Sequence, residues 1–106
     1  MITFSVVTIT YNAAAVLQPT LDSVLMQDYP HVEHIIIDGA STDDTLEIAK
    51  AYQKQSDETD NEHVVRIQSE PDDGLYDAMN KGLQQATGDY IVFLNAGDRF
   101  PAHDTL

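Results

Sequence analysis

Carboxylates stand directly after apolar runs of this sequence, where side chains from different parts of the chain could bind one ligand. Asp38 follows a run of isoleucines, and Asp98 follows a second apolar run, with Gly97 just before it. Carboxylate oxygens accept hydrogen bonds from a nucleobase or ribose, and they are ligands that Mg²⁺ prefers. Each aspartate also has a structural interpretation, because Asp after a strand can bond the backbone N–H groups of a turn.

A third acidic segment, residues 70–74 (EPDDG), has three acids within five residues of a Pro/Gly turn. Its carboxylates could contact sugar hydroxyls or a cation, but Asp72 or Asp73 could equally cap the helix predicted to follow. Asp77 and Lys81 on that helix could point towards a ligand. The alternative for them is a mutual ion pair, four residues apart on one helix face.

The charge balance limits the classes of ligand. The 106 residues carry 18 acids and 5 bases, a net charge of −13, and neither Lys nor Arg occurs before Lys50. This composition argues against nucleic acid and against an anionic membrane surface, since both bind basic patches. A phosphate bound by the first half of the chain would need backbone N–H groups or a cation held by carboxylates.

Other site classes lack their sequence patterns. The chain has no cysteine, so it has no disulfide, thiolate zinc site or thiol nucleophile, and its four histidines show no metal-binding spacing. Neither a Gly-x-Gly-x-x-Gly motif after the first strand nor a phosphate-binding loop is present. We find no secretory signal and no run of about 20 apolar residues that could span a bilayer, so we expect a cytoplasmic location.

Four apolar runs predict the strands that must position these side chains. Strands alternating with helices predict an α/β fold, a mainly parallel sheet with helices on both faces. Ligands of such sheets bind beyond the carboxyl ends of the strands, which is where the acids stand. The predicted strands are Phe4–Thr10, Glu33–Asp38, His63–Gln68 and Tyr90–Leu94.

The predicted helices fill the intervals. Ser41 and Asp44 have the spacing of a capping box for the second helix, and the acidic residues 57–62 after it predict a loop. Gly88 is expected to end the third helix as its C′ residue. The apolar face of that third helix is predicted to be Leu75, Met79, Leu83 and Ala86.

Taken together, four blocks resemble the N-terminal half of a family 2 glycosyltransferase with the GT-A fold. They read SVVTITYN, IIIDGASTDDT, SEPDDGLYDAMNKG and ATGDYIVFLNAGD, and they cover nearly the whole chain in the order of that family. The resemblance implies that residues 1–106 are the Rossmann-like nucleotide-sugar-binding part of a GT-A domain. It implies that Thr10, Tyr11 and Asn12 form the floor beneath the base. Asp38 would hydrogen-bond the base, usually uracil.

The same resemblance places Glu70 and Asp72 near the donor sugar. Asp98 would hold a divalent cation, Mg²⁺ or Mn²⁺, on the diphosphate. The family's metal segment often has several acids, whereas Asn95 and Gly97 stand at two of those positions here. Asp98 is therefore the one carboxylate that the resemblance assigns to the metal.

The implied activity is transfer of a sugar from a nucleotide-diphosphate donor, with UDP as the expected nucleotide, to a saccharide or lipid-linked acceptor with inversion. The implied setting is polysaccharide or glycan assembly, in the cytoplasm or at the inner face of the cell membrane. An inverting displacement needs a carboxylate to take the acceptor proton. No residue here matches that base, which we expect beyond Leu106, so this fragment should bind donor without transferring its sugar.

Two other interpretations stay open on the sequence. The chain could be a non-catalytic module that binds nucleotide-sugar or a protein partner. A receiver-like signalling domain shares the size, acidity and alternating pattern, but its acid pair should follow the first strand. Thr10, Tyr11 and Asn12 occupy that position here, which argues against a receiver.

Overall fold

The computed structural model describes residues 2–59 and 61–106, in which strands and helices alternate along the chain. The predicted α/β class is confirmed, and each predicted strand boundary lies within one residue of the observed one. No helix within the described residues is long and apolar enough to cross a bilayer. The elements are β1 (Phe4–Thr10), α1 (Ala14–Leu25), β2 (Val32–Asp38), α2 (Thr45–Glu58), β3 (Val64–Ser69), α3 (Leu75–Gln85) and β4 (Tyr90–Phe93).

The four strands form one parallel sheet in the order β3-β2-β1-β4. Its register pairs Thr10 with Asp38 and Asp38 with Ser69, so the carboxyl ends of β1, β2 and β3 lie side by side. Every residue of β2 is buried, because the strand has neighbours on both edges and helices cover both faces. One face packs Leu17, Leu21, Ile36, Ala49 and Tyr52 from the α1 and α2 side; the other, beneath α3, packs Val7, Ile35, Ile37 and Ala78.

The buried face of α3 differs from the predicted one. Ala78 and Gly82 are the residues of this helix that are buried, whereas Leu75 and Leu83 are exposed. A Cβ atom on Gly82 would lie 2.5 Å from Cγ1 of Val7, so the helix backbone approaches the sheet too closely for large residues. The predicted apolar face was wrong for Leu75 and Leu83, because small residues allow this close approach, whereas Met79 is half-buried and Ala86 packs against the core.

The predicted helix ends also need correction. Ser41 does not form a capping box with Asp44, because its hydroxyl donates to the Asp38 carboxylate instead. The helix α3 starts after Gly74, whose φ of +106° suits glycine, and no side chain caps it. Gly88 is not its C′ residue, since the helix ends at Gln85 with Ala86 already extended.

Gly88 has another structural role, at the amino end of the sheet. Its N–H donates to the Ser5 hydroxyl at 2.8 Å, and a Cβ atom there would lie 2.7 Å from the Thr3 carbonyl oxygen. The acidic segment 57–62 is helical in its first part, because α2 continues to Glu58. Residue 60 lies outside the described residues.

Candidate nucleotide site at the carboxyl edge

Asp38 is the centre of a hydrogen-bond network that joins the ends of three strands. Oδ1 accepts from the hydroxyls of Thr10 at 2.7 Å and Ser41 at 2.5 Å. Oδ2 accepts from the Ser41 N–H at 2.9 Å and the Ser69 hydroxyl at 2.8 Å. A carboxylate has about four lone-pair positions, so these four donors fill the acceptor capacity of Asp38.

This network decides the charge of Asp38. Burial by itself would raise the pKa of the carboxyl, since only 1% of the residue is exposed. Hydrogen bonds from Ser41, Thr10 and Ser69 outweigh burial and hold the pKa below its ordinary value. The group therefore stays ionised at neutral pH and keeps the three strand ends together.

The loops after β1 and β2 are bonded directly to each other. The N–H of Asn12 donates to the Ser41 hydroxyl at 2.8 Å, and the N–H of Thr42 donates to Oδ1 of Asn12, also at 2.8 Å. Asn12 and Ala40 have positive φ angles of 48° and 61°. Asn tolerates this region well, whereas Ala pays a strain that the surrounding bonds must offset. Strained backbone of this kind concentrates at ligand sites.

Tyr11 and Asp72 border the small surface above Gly39. The Tyr11 side chain lies at the open edge, and the residue is 66% exposed. A Cβ atom on Gly39 would lie 2.8 Å from Oδ2 of Asp72 and 3.5 Å from Cδ1 of Tyr11. The absence of a side chain at Gly39 thus lets a carboxylate and an aromatic ring approach the same point.

Glu70 turns away from this surface towards α3. Its Oε1 lies 3.1 Å from Nζ of Lys81, which also pairs with Oδ2 of Asp77 at 3.2 Å. The Lys81 ammonium further donates to the Pro71 carbonyl oxygen. The structural interpretation of the Asp77–Lys81 spacing is therefore the observed one. Lys81 fixes the segment after β3 rather than pointing into open solvent.

Asp98 lies in an exposed turn after β4, at the same edge of the sheet. The Asp98 N–H donates to the Asn95 carbonyl oxygen at 2.9 Å, and the Gly97 N–H donates to the Thr20 hydroxyl of α1, also at 2.9 Å. Within residues 2–59 and 61–106, no three carboxylates or histidines cluster as a metal cage. One carboxylate fits Mg²⁺ or Mn²⁺ where diphosphate oxygens and water supply the other ligands.

Ser41 and Ser69 were not predicted from the sequence as partners of Asp38. Ser41 follows the aspartate by three residues and Ser69 ends the next strand, so a signal for both was present. A cavity of about 620 Å³ lies elsewhere, between α1 and the chain after β4. None of the predicted site residues lines that cavity; Pro19, Met26, Arg99 and Phe100 do.

Comparison with known proteins gives a consistent result. The sequence profile described as "Glycosyl transferase family 2" matches residues 5–106. A PGL/p-HBAD biosynthesis glycosyltransferase from Mycobacterium bovis is 41% identical over 103 residues, which are 97% of this chain and 38% of that protein. A putative teichuronic acid biosynthesis glycosyltransferase, TuaG, from Bacillus subtilis is 41% identical over 91% of this chain and 36% of its own length.

Solved structures agree on the fold. The mannosyltransferase PcManGT from Pyrobaculum calidifontis, in complex with GDP-Man and Mn²⁺, superimposes with a TM-score of 0.85 and 32% identity, over 98% of this chain and 30% of that one. The S. aureus protein TarS, in complex with UDP-GlcNAc, gives a TM-score of 0.76 and 29% identity over 92% and 27% of the two chains. This chain thus spans little more than a third of the curated relatives that it matches.

Proposed function

Because the chain belongs to glycosyl transferase family 2, we propose that it supplies the nucleotide-sugar site of an enzyme that transfers a sugar with inversion. The donor is a nucleoside diphosphate sugar. Uridine is the base that the sequence resemblance predicts, and the GDP-Man bound to one structural neighbour makes guanosine the alternative. The acceptor is a saccharide or lipid-linked saccharide of polysaccharide or glycan assembly, handled in the cytoplasm or at the inner face of the cell membrane.

One observation carries this proposal: the register of the parallel sheet gathers the predicted nucleotide residues at one edge. Thr10 and Asp38 bond each other, and Asn12 joins the loop that Asp38 holds. The exposed Tyr11 ring stands beside them and offers a face on which a base can stack. We assign these four residues to the nucleotide site, as contacts of the nucleotide or as supports of the loops that hold it, with Glu70 and Asp72 bordering the site from the end of β3.

Asp98 is proposed to hold the divalent cation together with the diphosphate. A bound Mg²⁺ or Mn²⁺ would neutralise the charge that develops on the departing diphosphate. The other contributions come from the chain itself, which orients the nucleoside between two loops that are already bonded together.

The acceptor half of the reaction is assigned outside residues 1–106. Inversion requires a carboxylate positioned to take the proton of the acceptor hydroxyl. The carboxylates of Asp38, Glu70, Asp72 and Asp98 are already assigned to the network, the ion pair or the donor. We therefore propose that this chain by itself binds donor and leaves the sugar in place.

Calorimetric titration tests the proposal. UDP-GlcNAc and GDP-Man are titrated into the protein with and without Mn²⁺, and at least one should bind more tightly when the metal is present. Asp98→Ala should abolish the effect of the metal. Asp57→Ala, which removes an exposed acid from α2, should leave it intact. Binding of neither nucleotide-sugar under any condition would overturn the assignment.

A further inference from the structure

A nucleoside bound beside Tyr11 needs an acceptor for its N–H or O–H groups, and Asp38 has none to spare. Two donors occupy each oxygen of its carboxylate, and only 1% of the residue is exposed. A base could reach it only by displacing Ser41 or Ser69. Displacing Ser41 would also disturb its contact with Asn12, which shapes the site.

Among the other acids at this edge, Asp72 is the one whose carboxylate lies at Gly39 and the Tyr11 ring. Its Oδ1 accepts the Gly74 N–H at 3.2 Å, while its Oδ2 receives no donor from the described residues. That Oδ2 atom is the one that lies against Gly39 and beside the Tyr11 ring. Glu70, by contrast, is paired with Lys81.

We infer that Asp72 is the carboxylate that accepts a hydrogen bond from the donor nucleoside, and that Asp38 is a positioning residue for the loops around it. The inference rests on the proposed function and assigns a role within the same site. The bonded group is an N–H of the base or a hydroxyl of the ribose. Both are donors, and both lie within reach of an acceptor next to a ring on which the base stacks.

The same geometry implies that nucleotide affinity also depends on Gly39. A Cβ atom on Gly39 would lie only 2.8 Å from Oδ2 of Asp72, so glycine leaves the space that this oxygen needs. An alanine would displace the end of a flexible side chain, which the fold tolerates. The carboxylate would then leave the site, so Gly39→Ala should imitate the loss of Asp72.

The test is a double-mutant cycle on nucleotide affinity, measured by calorimetry with UDP and with GDP. Asp72→Asn should weaken the tighter nucleotide about tenfold or more, as expected for a lost hydrogen bond to a charged group. Asp73→Asn removes the same charge from the adjacent exposed residue and should leave the dissociation constant within about twofold. Gly39→Ala should weaken binding similarly, and the double variant Gly39→Ala/Asp72→Asn should be no worse than Asp72→Asn.

Analogues of the tighter nucleotide identify the bonded group. Three analogues, one methylated on the N–H of the base, one 2′-deoxy and one 3′-deoxy, are titrated into the wild-type protein and into Asp72→Asn. The effect of Asp72→Asn should disappear for the form that lacks the bonded donor. An undiminished effect on all three forms would overturn a direct hydrogen bond.

The outcome separates this inference from the proposed function. If the unaltered protein binds neither nucleotide, the proposed function fails. If it binds one of them but Asp72→Asn matches Asp73→Asn, the nucleotide site stands and the role of Asp72 is refuted. Thermal midpoints of all variants should agree within about 2 °C, so that changes in affinity are not changes in folding.

Discussion

The two sides of this sheet are built differently, although the same parallel pairing joins them. On one side β2 is buried along its whole length, and its last residue, Asp38, accepts four hydrogen bonds from neighbouring strand ends. On the other side β4 pairs with β1 alone, and its residues Ile91 and Phe93 are 41% and 38% exposed. The turn that follows leaves Asp98 exposed.

This difference suggests which part of the donor the chain can bind by itself. Loops already bonded to one another lose little freedom when a ligand arrives, which favours affinity. The residues that shape the nucleoside side meet this condition. The single carboxylate on the β4 side does not, because a cation there needs oxygens from the diphosphate. The nucleoside side of the site is thus preorganised, whereas the metal site is completed only when the ligand binds.

The largest effect should come from removing Asp38, the centre of the hydrogen-bond network. Asp38→Ala removes a buried acceptor from three hydroxyls and one N–H and leaves the buried Thr10 hydroxyl without a partner, which costs about 3 kcal/mol of unfolding free energy. Urea unfolding measures the loss. Asp72→Ala is the matched control, since its carboxylate accepts one backbone bond at the exposed edge, and should cost about 0.5 kcal/mol. Equal stability losses would remove the distinction between the two aspartates.

The second effect on stability concerns the face of the sheet that α1 and α2 cover. His34 is fully buried, bonded to the hydroxyls of Thr8 and Tyr52 at 2.7 Å each, and burial together with the charge of His63 lowers its pKa to about 3. Since the folded pKa lies below the unfolded value of 6.5, this contribution is complete above pH 6.5 and is lost as the pH falls towards 3.

Stability measured from pH 7 to pH 5 checks this expectation before the carboxylates titrate. The slope should approach about 1.4 kcal/mol per pH unit for one proton taken up on unfolding. His63 has a pKa lowered by burial and adds in the same direction. His34→Gln keeps His63 and should flatten the slope. An unchanged slope in that variant would contradict the buried neutral imidazole.

The third effect compares the stability contributions of β1 and β4 side chains on one face of the sheet. Val7 of β1 is fully buried beneath α3, whereas Ile91 of β4 lies on the same face and is exposed. Val7→Thr should cost about 1–3 kcal/mol, because it buries a hydroxyl among apolar side chains. Ile91→Thr should cost about 0.5 kcal/mol. Similar losses in urea unfolding would mean that this surface of β4 is covered in solution.

The smallest effect on stability should come from Asp98. Asp98→Ala removes an exposed carboxylate and should change the unfolding free energy by no more than about 0.5 kcal/mol. Its consequence should instead be confined to the response of nucleotide binding to Mn²⁺. A loss of stability without Mn²⁺ would show that the β4 turn is as firmly fixed as the β2 edge.

The sequence predicted the strands well because their apolar runs are short and bounded by polar turns. It predicted the α3 face poorly, because apolar spacing marks large residues and cannot reveal that Gly82 lets the helix backbone approach Val7. Position at the sheet edge was predictable for Asp38, since parallel strands end together. The choice between a structural and a ligand-binding role was not, because it depends on whether the hydroxyls of Ser41 and Ser69 donate to the carboxylate, and the sequence supplies the two serines but not the direction of their bonds.

Backbone amide NMR can show directly where the nucleotide binds on the protein. The protein is titrated with UDP and with GDP in the presence of Mg²⁺. Binding at the carboxyl edge should shift the amide signals of residues 11–12, 39–42, 70, 72–74 and 95–98 and leave those of 99, 100, 102 and 103 beside α1 unchanged. Shifts confined to the cavity between α1 and residues 99–103, or no shifts with either nucleotide, would rule out a nucleotide site at the carboxyl edge.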